Sequence, residues 1–268
     1  MSTSLPPSGY FPCGMPYNRL GHGPRSLLVI QGLFFENKPM PAMFNQTYRF
    51  LADDYTVYVV LRKPGLPKGY TLGDMANDYA ELIRQEFNPP LDVIGVSTGG
   101  SIVQHFAAEH PELVRRLVIH SSAHMLSDSA KKLQLTVARL AQERRWVAAN
   151  ALLVSSIMPQ AGSMKTLSRP LVWLASNLMS ISPPKDPNDL VVTIEAEDKF
   201  AFKDRLSEIT APTLVIAGDR DPFYTPELFR ETAAGIPDAR LVLYEGMGHP
   251  ASGKEFAREV LSFLSEGT

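Results

Sequence analysis

The chain has 268 residues, of which 44% are hydrophobic and 20% are charged, and its formal net charge is −2. This composition is typical of a folded globular protein, and the length suits one main α/β domain that carries an insertion. The chain has no basic excess of the kind that neutralises phosphates, which argues against a nucleic-acid partner and favours a small-molecule substrate.

Cysteine content and hydropathy indicate the compartment. Cys13 is the single cysteine, so the chain forms no intramolecular disulfide and lacks the ligand set of a structural zinc site. The first residues do not resemble a secretory signal, and no stretch reaches about 18 consecutive apolar residues. We therefore expect a cytoplasmic protein without a membrane span. One sequence does not distinguish a monomer from a homodimer.

Six short apolar runs rich in valine and isoleucine predict strands that are buried on both faces. They span residues 27–30, 55–61, 91–96, 117–119, 213–217 and 241–244. The best-defined helix between them is predicted over residues 72–87, where Thr71 and Asp74 match a capping box and Pro89-Pro90 ends the helix. The alternation predicts an α/β fold with a mainly parallel central sheet flanked by helices.

The alternation stops between about residues 123 and 205, where helical stretches predict an inserted cap. The expected division is an α/β core domain of residues 1–122 and 206–268 and a helical cap (lid) domain of residues 123–205. The large apolar residues of the cap are Met125, Trp146, Met158, Met164, Trp173 and Met179. Such side chains favour a hydrophobic pocket for an apolar acyl or aromatic substrate, although each also suits packing between cap helices.

Ser97 is the candidate nucleophile. It stands in Gly95-Val96-Ser97-Thr98-Gly99, which follows a predicted buried strand and precedes a helical stretch. That is the context of a nucleophile elbow, in which the serine occupies a strained turn. Its neighbours at two residues on either side must be small, because the strand and helix backbones approach closely, and Gly95 and Gly99 meet that demand.

His249 is the candidate base that a serine nucleophile needs. It lies in a glycine-rich loop after the last predicted strand, at the carboxyl edge where ligands of open α/β sheets collect. His120 and His124 flank the end of the strand at 117–119 and are candidate substrate contacts. The other histidines precede the first of these strands or follow the elbow on its helix: His22, His105 and His110.

No metal ion or other cofactor is expected. His120 and His124 are four residues apart, but that spacing brings two histidines together only on a helix, and here it straddles a strand end. No third ligand accompanies them.

A histidine base also needs a carboxylate that fixes its tautomer and stabilises the imidazolium. Asp219 and Asp221 both follow the predicted strand at 213–217. Each also suits a turn in which the aspartate bonds its own backbone. The residues alone leave both aspartates as candidates.

With these residues in the order serine, acid, histidine, the chain resembles the α/β-hydrolase family. The resemblance covers roughly residues 17–264 and is weakest in the cap. In that family the acid stands between a glycine and a proline after its strand, a pattern that Gly218, Asp221 and Pro226 match. The resemblance therefore favours Asp221 as the catalytic acid over Asp219.

The resemblance also implies an oxyanion hole made by two backbone N–H groups, from Thr98 after the nucleophile and from Leu33 in an early loop. That loop usually begins His-Gly in the family, whereas this chain has Gln31-Gly32. The donor is main chain, so the replacement need not abolish the hole. Gln31 and Phe34 become candidate substrate-binding residues, and Phe34 suits core packing equally well.

The implied function is a serine hydrolase that cleaves a carboxylic ester or lactone of a small, largely apolar substrate through an acyl-enzyme intermediate. Serine at the elbow argues against the dehalogenase and epoxide-hydrolase branches, which use aspartate there. Two alternatives stay open: a C–C bond hydrolase of a diketone-like substrate, which uses the same triad, and a non-catalytic small-molecule receptor on the same fold.

Overall fold

The computed structural model describes residues 5–40, 42–157 and 164–266; for residues 42–45 and 164–169 it describes the backbone. The strands are β1 (Ser8–Tyr10), β2 (Pro16–Leu20), β3 (Arg25–Ile30), β4 (Tyr55–Val60), β5 (Leu91–Val96), β6 (Val114–His120), β7 (Thr213–Gly218) and β8 (Ala239–Tyr244). The α-helices are α1 (Leu72–Glu86), α2 (Thr98–Glu109), α3 (Asp128–Gln142), α4 (Trp146–Ile157), α5 (Met164–Met179), α6 (Asn188–Asp198), α7 (Pro226–Gly235) and α8 (Lys254–Ser265).

The strands form one eight-stranded sheet in the order β1-β2-β4-β3-β5-β6-β7-β8. Strands β3 to β8 are parallel, which confirms the predicted α/β fold. β2 pairs antiparallel with both β1 and β4, and the sequence analysis missed β1 and β2. They are short and carry glycine, proline, asparagine and arginine, so they lack the continuous apolar run that marks a buried parallel strand.

The predicted helix after β4 forms as α1. Thr71 Oγ1 accepts from Asp74 N at 3.1 Å, and the Asp74 carboxylate accepts from Thr71 N at 2.9 Å, which confirms the capping box. The helix ends at Glu86, one residue before the predicted end.

Hydrophobic layers cover both faces of the sheet. Successive residues of β3 alternate between them: Leu28 and Ile30 belong to the cluster formed with α1 and α2, whereas Leu27 and Val29 belong to the cluster formed with α8. This three-layer arrangement buries the parallel strands on both sides and leaves their carboxyl ends as the edge at which loops meet.

Between β6 and β7 the described residues form α3 to α6 and a short 3₁₀ helix, and none of these residues is in a strand. α3, α4 and α6 share a buried cluster of their own. α6 is also fixed to the core, because the carboxylate of Asp189 accepts from Gly65 N at 3.0 Å and Leu66 N at 2.9 Å. The domain boundaries at 123 and 205 stay a prediction.

The large apolar residues of this segment have different surroundings. Trp146 is buried in the helical cluster, and its ring lies edge-on to Phe35, with 6.1 Å between centroids. Its surroundings therefore match packing between helices. Trp173 and Met179 lie on the surface, with exposed fractions of 66% and 51%. Met158 and the side chain of Met164 lie outside the described residues. Among the described helices, none has both the length and the hydropathy to cross a bilayer.

Candidate active site

Ser97 lies in the turn between β5 and α2, with φ 54° and ψ −125°. A non-glycine residue rarely adopts positive φ, so this turn is strained. A Cβ atom at Gly95 would lie 2.5 Å from the carbonyl oxygen of Gly99, and one at Gly99 would lie 2.0 Å from that of Ile30. Both positions therefore require glycine, because the strand and helix backbones meet there.

His249 and Asp221 are in direct contact. His249 Nδ1 lies 2.6 Å from Asp221 Oδ2, and the Asp221 side chain is completely buried. The other carboxylate oxygen accepts from Phe223 N at 2.8 Å and from Tyr224 N at 3.2 Å. Because both oxygens are occupied, the carboxylate has a fixed orientation towards the imidazole.

Asp219 has a different partner. Its Oδ1 accepts from Gly246 N at 2.7 Å, and its own N–H donates to Tyr244 O at 3.0 Å. Asp219 thus braces the start of the loop that carries His249, and of the two aspartates the imidazole contacts Asp221.

The loops of Ser97 and His249 meet at the end of β6. The main-chain oxygen of His120 accepts from Ser97 N at 3.0 Å, and its ring Nε2 lies 2.7 Å from the carbonyl oxygen of Ala251. In the part of the chain that the structure describes, no hydrogen bond joins Ser97 Oγ to His249. Such contacts are often long without substrate and tighten in the reacting complex.

The loop after β3 lies against the elbow. A Cβ atom at Gly32 would stand 3.1 Å from Ser97 Cβ. Arg62, almost completely buried, donates through Nη1 to the carbonyl oxygens of Gln31 at 3.2 Å and Gly32 at 3.0 Å. Since a peptide N–H points opposite to its C=O, the N–H of Leu33 points away from Arg62. This arginine, which the sequence analysis missed, fixes the loop that holds the predicted oxyanion donor.

Two predicted substrate contacts lie in the same loop. The side-chain oxygen of Gln31 accepts from Gly32 N at 2.9 Å, so the side chain folds back on its own loop. Phe34 packs against the buried cluster on the α8 face, which matches the packing alternative. A substrate contact at Gln31 stays a prediction, as does the oxyanion role of Leu33.

Thr98, the second predicted oxyanion donor, is completely buried, and its hydroxyl donates to Glu197 Oε2 at 2.7 Å. Glu197 Oε1 accepts from Ser101 Oγ at 3.0 Å and from Tyr224 OH at 3.4 Å. Burial raises the pKa of the Glu197 carboxyl, and hydrogen bonds from Thr98, Gln134 and Ser101 and the charge of the buried Arg62 oppose that shift. A carboxylate of α6 thus joins the elbow to the loop of the candidate acid.

The sequence held a signal for Glu197 that was not used. Asp189, Thr193 and Glu197 repeat every four residues on α6, so they share one helix face. A polar stripe that lies among the apolar residues of a helix indicates buried hydrogen bonding, because an unpaired polar group in a core is destabilising.

His120 and His124 flank the end of β6, where the sequence analysis placed them, and both are buried. His120 is completely buried, with Nδ1 at 2.9 Å from Tyr48 OH and Nε2 at 2.7 Å from Ala251 O. Both ring nitrogens are engaged within the protein, so the expectation that His120 contacts substrate is corrected. His124 is also buried, and its ring lies against Thr232 and Glu231.

A family model described as alpha/beta hydrolase fold matches residues 51–255. The chain belongs to this family. Three features of this α/β hydrolase bear on its chemistry. They are the sheet of eight mostly parallel strands, the strained turn at Ser97, and the contact between His249 and Asp221.

The α/β hydrolase is 26% identical to the provisionally named carbamate hydrolase RutD of Yersinia enterocolitica over 241 residues, 85% of this chain and 81% of that protein. Two solved structures share its fold. MGS-M2, from a Medee basin deep-sea metagenome library, has a TM-score of 0.79, 18% identity, and coverage of 95% and 96%. The enol-lactonase of Burkholderia xenovorans LB400 has a TM-score of 0.77, 20% identity, and coverage of 97% and 100%. The family match and the RutD relative support hydrolase activity, and the two solved structures support the fold.

Proposed function

We propose that this α/β hydrolase is a serine hydrolase in which Ser97 is the nucleophile, His249 the general base and Asp221 the acid that orients it. The observation that carries the proposal is the 2.6 Å contact between His249 Nδ1 and Asp221 Oδ2. A carboxylate at Nδ1 retains the proton on that nitrogen and leaves Nε2 free to accept one, which is the form that a general base requires.

The proposed reaction has two halves. Ser97 Oγ attacks an acyl carbonyl while His249 Nε2 takes the hydroxyl proton, and backbone N–H groups of Leu33 and Thr98 stabilise the oxyanion. His249 then protonates the leaving group, and an acyl-enzyme forms. A water molecule that gives a proton to the same nitrogen hydrolyses this ester, and the acid product leaves with Ser97 restored.

We propose a carboxylic ester or lactone of a small, largely apolar compound as the substrate. The Phe223 ring lies edge-on to the His249 ring, 4.7 Å between centroids, and gives the base an apolar wall. RutD is named for a carbamate and the Burkholderia enzyme for an enol lactone, and in both compounds the bond breaks at an acyl carbonyl. That carbonyl is the electrophile that the proposed mechanism attacks.

A substrate panel tests this proposal. It contains p-nitrophenyl esters of increasing acyl length, lactones, an aryl carbamate and a vinylogous diketone, each assayed with the wild type and with Ser97→Ala. We expect kcat/KM for the esters to rise nearly fourfold per added methylene over the first few carbons, because each buried CH₂ contributes about 0.8 kcal/mol, and then to fall when the pocket is full.

Other outcomes select the alternatives. Faster cleavage of the diketone than of any ester would make the protein a C–C bond hydrolase, and faster cleavage of the carbamate would place nitrogen in the acyl group that is transferred to Ser97. Slow single-turnover hydrolysis together with ligand-dependent binding of a partner would indicate a receptor. Equal turnover by Ser97→Ala would exclude the serine mechanism.

A further inference from the structure

The carboxyl end of β6 contacts the two loops that carry the proposed nucleophile and base. His120 O accepts from Ser97 N at 3.0 Å, which fixes the start of the elbow. The His120 ring reaches Ala251 O at 2.7 Å, and Ser121 Oγ accepts from Ala251 N at 2.9 Å. Both backbone polar groups of Ala251, two residues after His249, are therefore held by adjacent β6 side chains.

The bonding partners determine the tautomer of His120. A carbonyl oxygen only accepts, so the ring donates to Ala251 O through a protonated Nε2. Nδ1 is then the acceptor, and Tyr48 OH donates to it at 2.9 Å. The ring also stacks on Phe256 at 4.4 Å between centroids, so it is restrained on its edges and on one face.

Ser121 has an unusual backbone. Its φ is 48°, in the left-handed region, while its N–H continues the sheet by donating to Ile216 O at 2.8 Å. A non-glycine residue adopts this conformation only when its surroundings compensate for the strain. The compensation here includes the bond from Ala251 N to the Ser121 hydroxyl.

We infer that His120 and Ser121 are positioning residues that hold the His249 loop in register with the Ser97 elbow. This inference rests on the proposed function. One residue, His120, anchors the elbow through its backbone and the base loop through its side chain, so a shift of one loop relative to the other breaks a buried hydrogen bond. Small displacements of a catalytic group are costly, since a shift of about 1 Å can lower the rate about 10²-fold.

The test compares two histidines. His120→Met removes the Nε2 donor, whereas His105→Met removes a histidine of α2 whose ring contacts Glu109 and Phe202, outside the His249 loop. We expect both variants to lower Tm. Only His120→Met should lower kcat, by about 10- to 100-fold with KM changed less than about threefold, and slow phosphonate labelling of Ser97 in proportion.

His120→Gln restores an amide donor at a similar reach, and we expect it to recover kcat to within about fivefold of the wild type. If His120→Met does not fold, Ser121→Ala and Tyr48→Phe each remove one hydroxyl of the same network, and a lower kcat at unchanged KM is expected for both. Unchanged kcat in the folded variants would overturn the inference.

Failure of the proposed function gives a different result. A wild type that neither turns over the ester panel nor reacts with the phosphonate would refute the serine mechanism, and the inference would fall with it. A wild type that is active and labelled, beside His120 variants of equal kcat, would refute the inference alone.

Discussion

Asp221 Oδ2 lies 2.6 Å from His249 Nδ1, whereas Asp219 Oδ1, two residues earlier, accepts from Gly246 N at 2.7 Å. The two aspartates follow the same strand and differ in partner. One orients the proposed base, and the other braces the loop on which that base stands.

The two corresponding amide variants test this division. Asp221→Asn should lower kcat by about 10³- to 10⁴-fold, because an amide nitrogen donates to Nδ1 and favours the wrong tautomer. Asp219→Asn keeps an acceptor oxygen for Gly246 N and should lower kcat less than about tenfold. Steady-state kinetics on the best ester measures both. The reverse ranking would make Asp219 the acid.

Ser97→Ala should lower kcat by about 10⁴- to 10⁶-fold and should still fold, since the side chain is small and its proposed role is covalent. A phosphonate probe followed by peptide mass spectrometry should label the wild type at Ser97 and leave this variant unlabelled. Ser101→Ala is the control for the neighbouring hydroxyl, and it should retain the label. A label on Ser101 would contradict the assignment.

The Glu197 network should contribute measurably to stability. Removal of its carboxylate leaves the buried hydroxyl donors of Thr98, Ser101 and Tyr224 without their acceptor. Glu197→Ala should therefore lower the free energy of unfolding by about 2–4 kcal/mol. A double-mutant cycle with Ser101→Ala should give a coupling energy of about 0.5–3 kcal/mol.

The matched control for this cycle pairs Ser101→Ala with Asp189→Asn. Asp189 is on the same helix as Glu197 but bonds Gly65, Leu66 and Asn37, none of which contacts Ser101. These two substitutions should be additive within about 0.5 kcal/mol in urea unfolding. Equal coupling in both cycles would mean that α6 responds as a unit and that no specific bond to Glu197 is involved.

His120 should make folding stability fall in acid. Burial lowers the pKa of its imidazole from 6.5 to about 3, so below pH 6.5 the unfolded chain binds a proton that the folded chain does not. Stability from this residue is therefore complete above pH 6.5 and is lost as the pH falls towards 3. The expected loss between pH 7 and pH 5 is about 2 kcal/mol.

His120→Gln has no titrating ring. Between pH 7 and pH 5 we therefore expect the free energy of unfolding of the wild type to fall by about 2 kcal/mol more than that of His120→Gln. Urea unfolding at the two pH values measures it. Parallel losses in the two proteins would show that His120 is protonated in the folded state.

The sequence by itself determined the sheet and the elbow. Each central parallel strand contains a short run rich in apolar residues, and such a run is a local property of the sequence that can be read without knowing its neighbours in the fold. Gly95 and Gly99 likewise report a local demand, the close approach of β5 and α2. β1 and β2 carry no such run. β1 lies at the edge of the sheet and needs only one hydrogen-bonded partner and little burial, and β2 is a short strand that includes Asn18 and Arg19.

The tertiary structure alone decided which side chains meet. Asp219 and Asp221 are equivalent in local sequence, and only the folded loops bring one of them to His249. His120 follows the pattern of a pocket residue, yet burial against Phe256 makes it part of the core. Glu197 reaches Thr98 from 99 residues away in the chain. Local patterns fix backbone conformation over a few residues, whereas these contacts depend on how the loops and helices α3 to α6 pack across the sheet edge, where a shift of one side chain changes its hydrogen-bond partners.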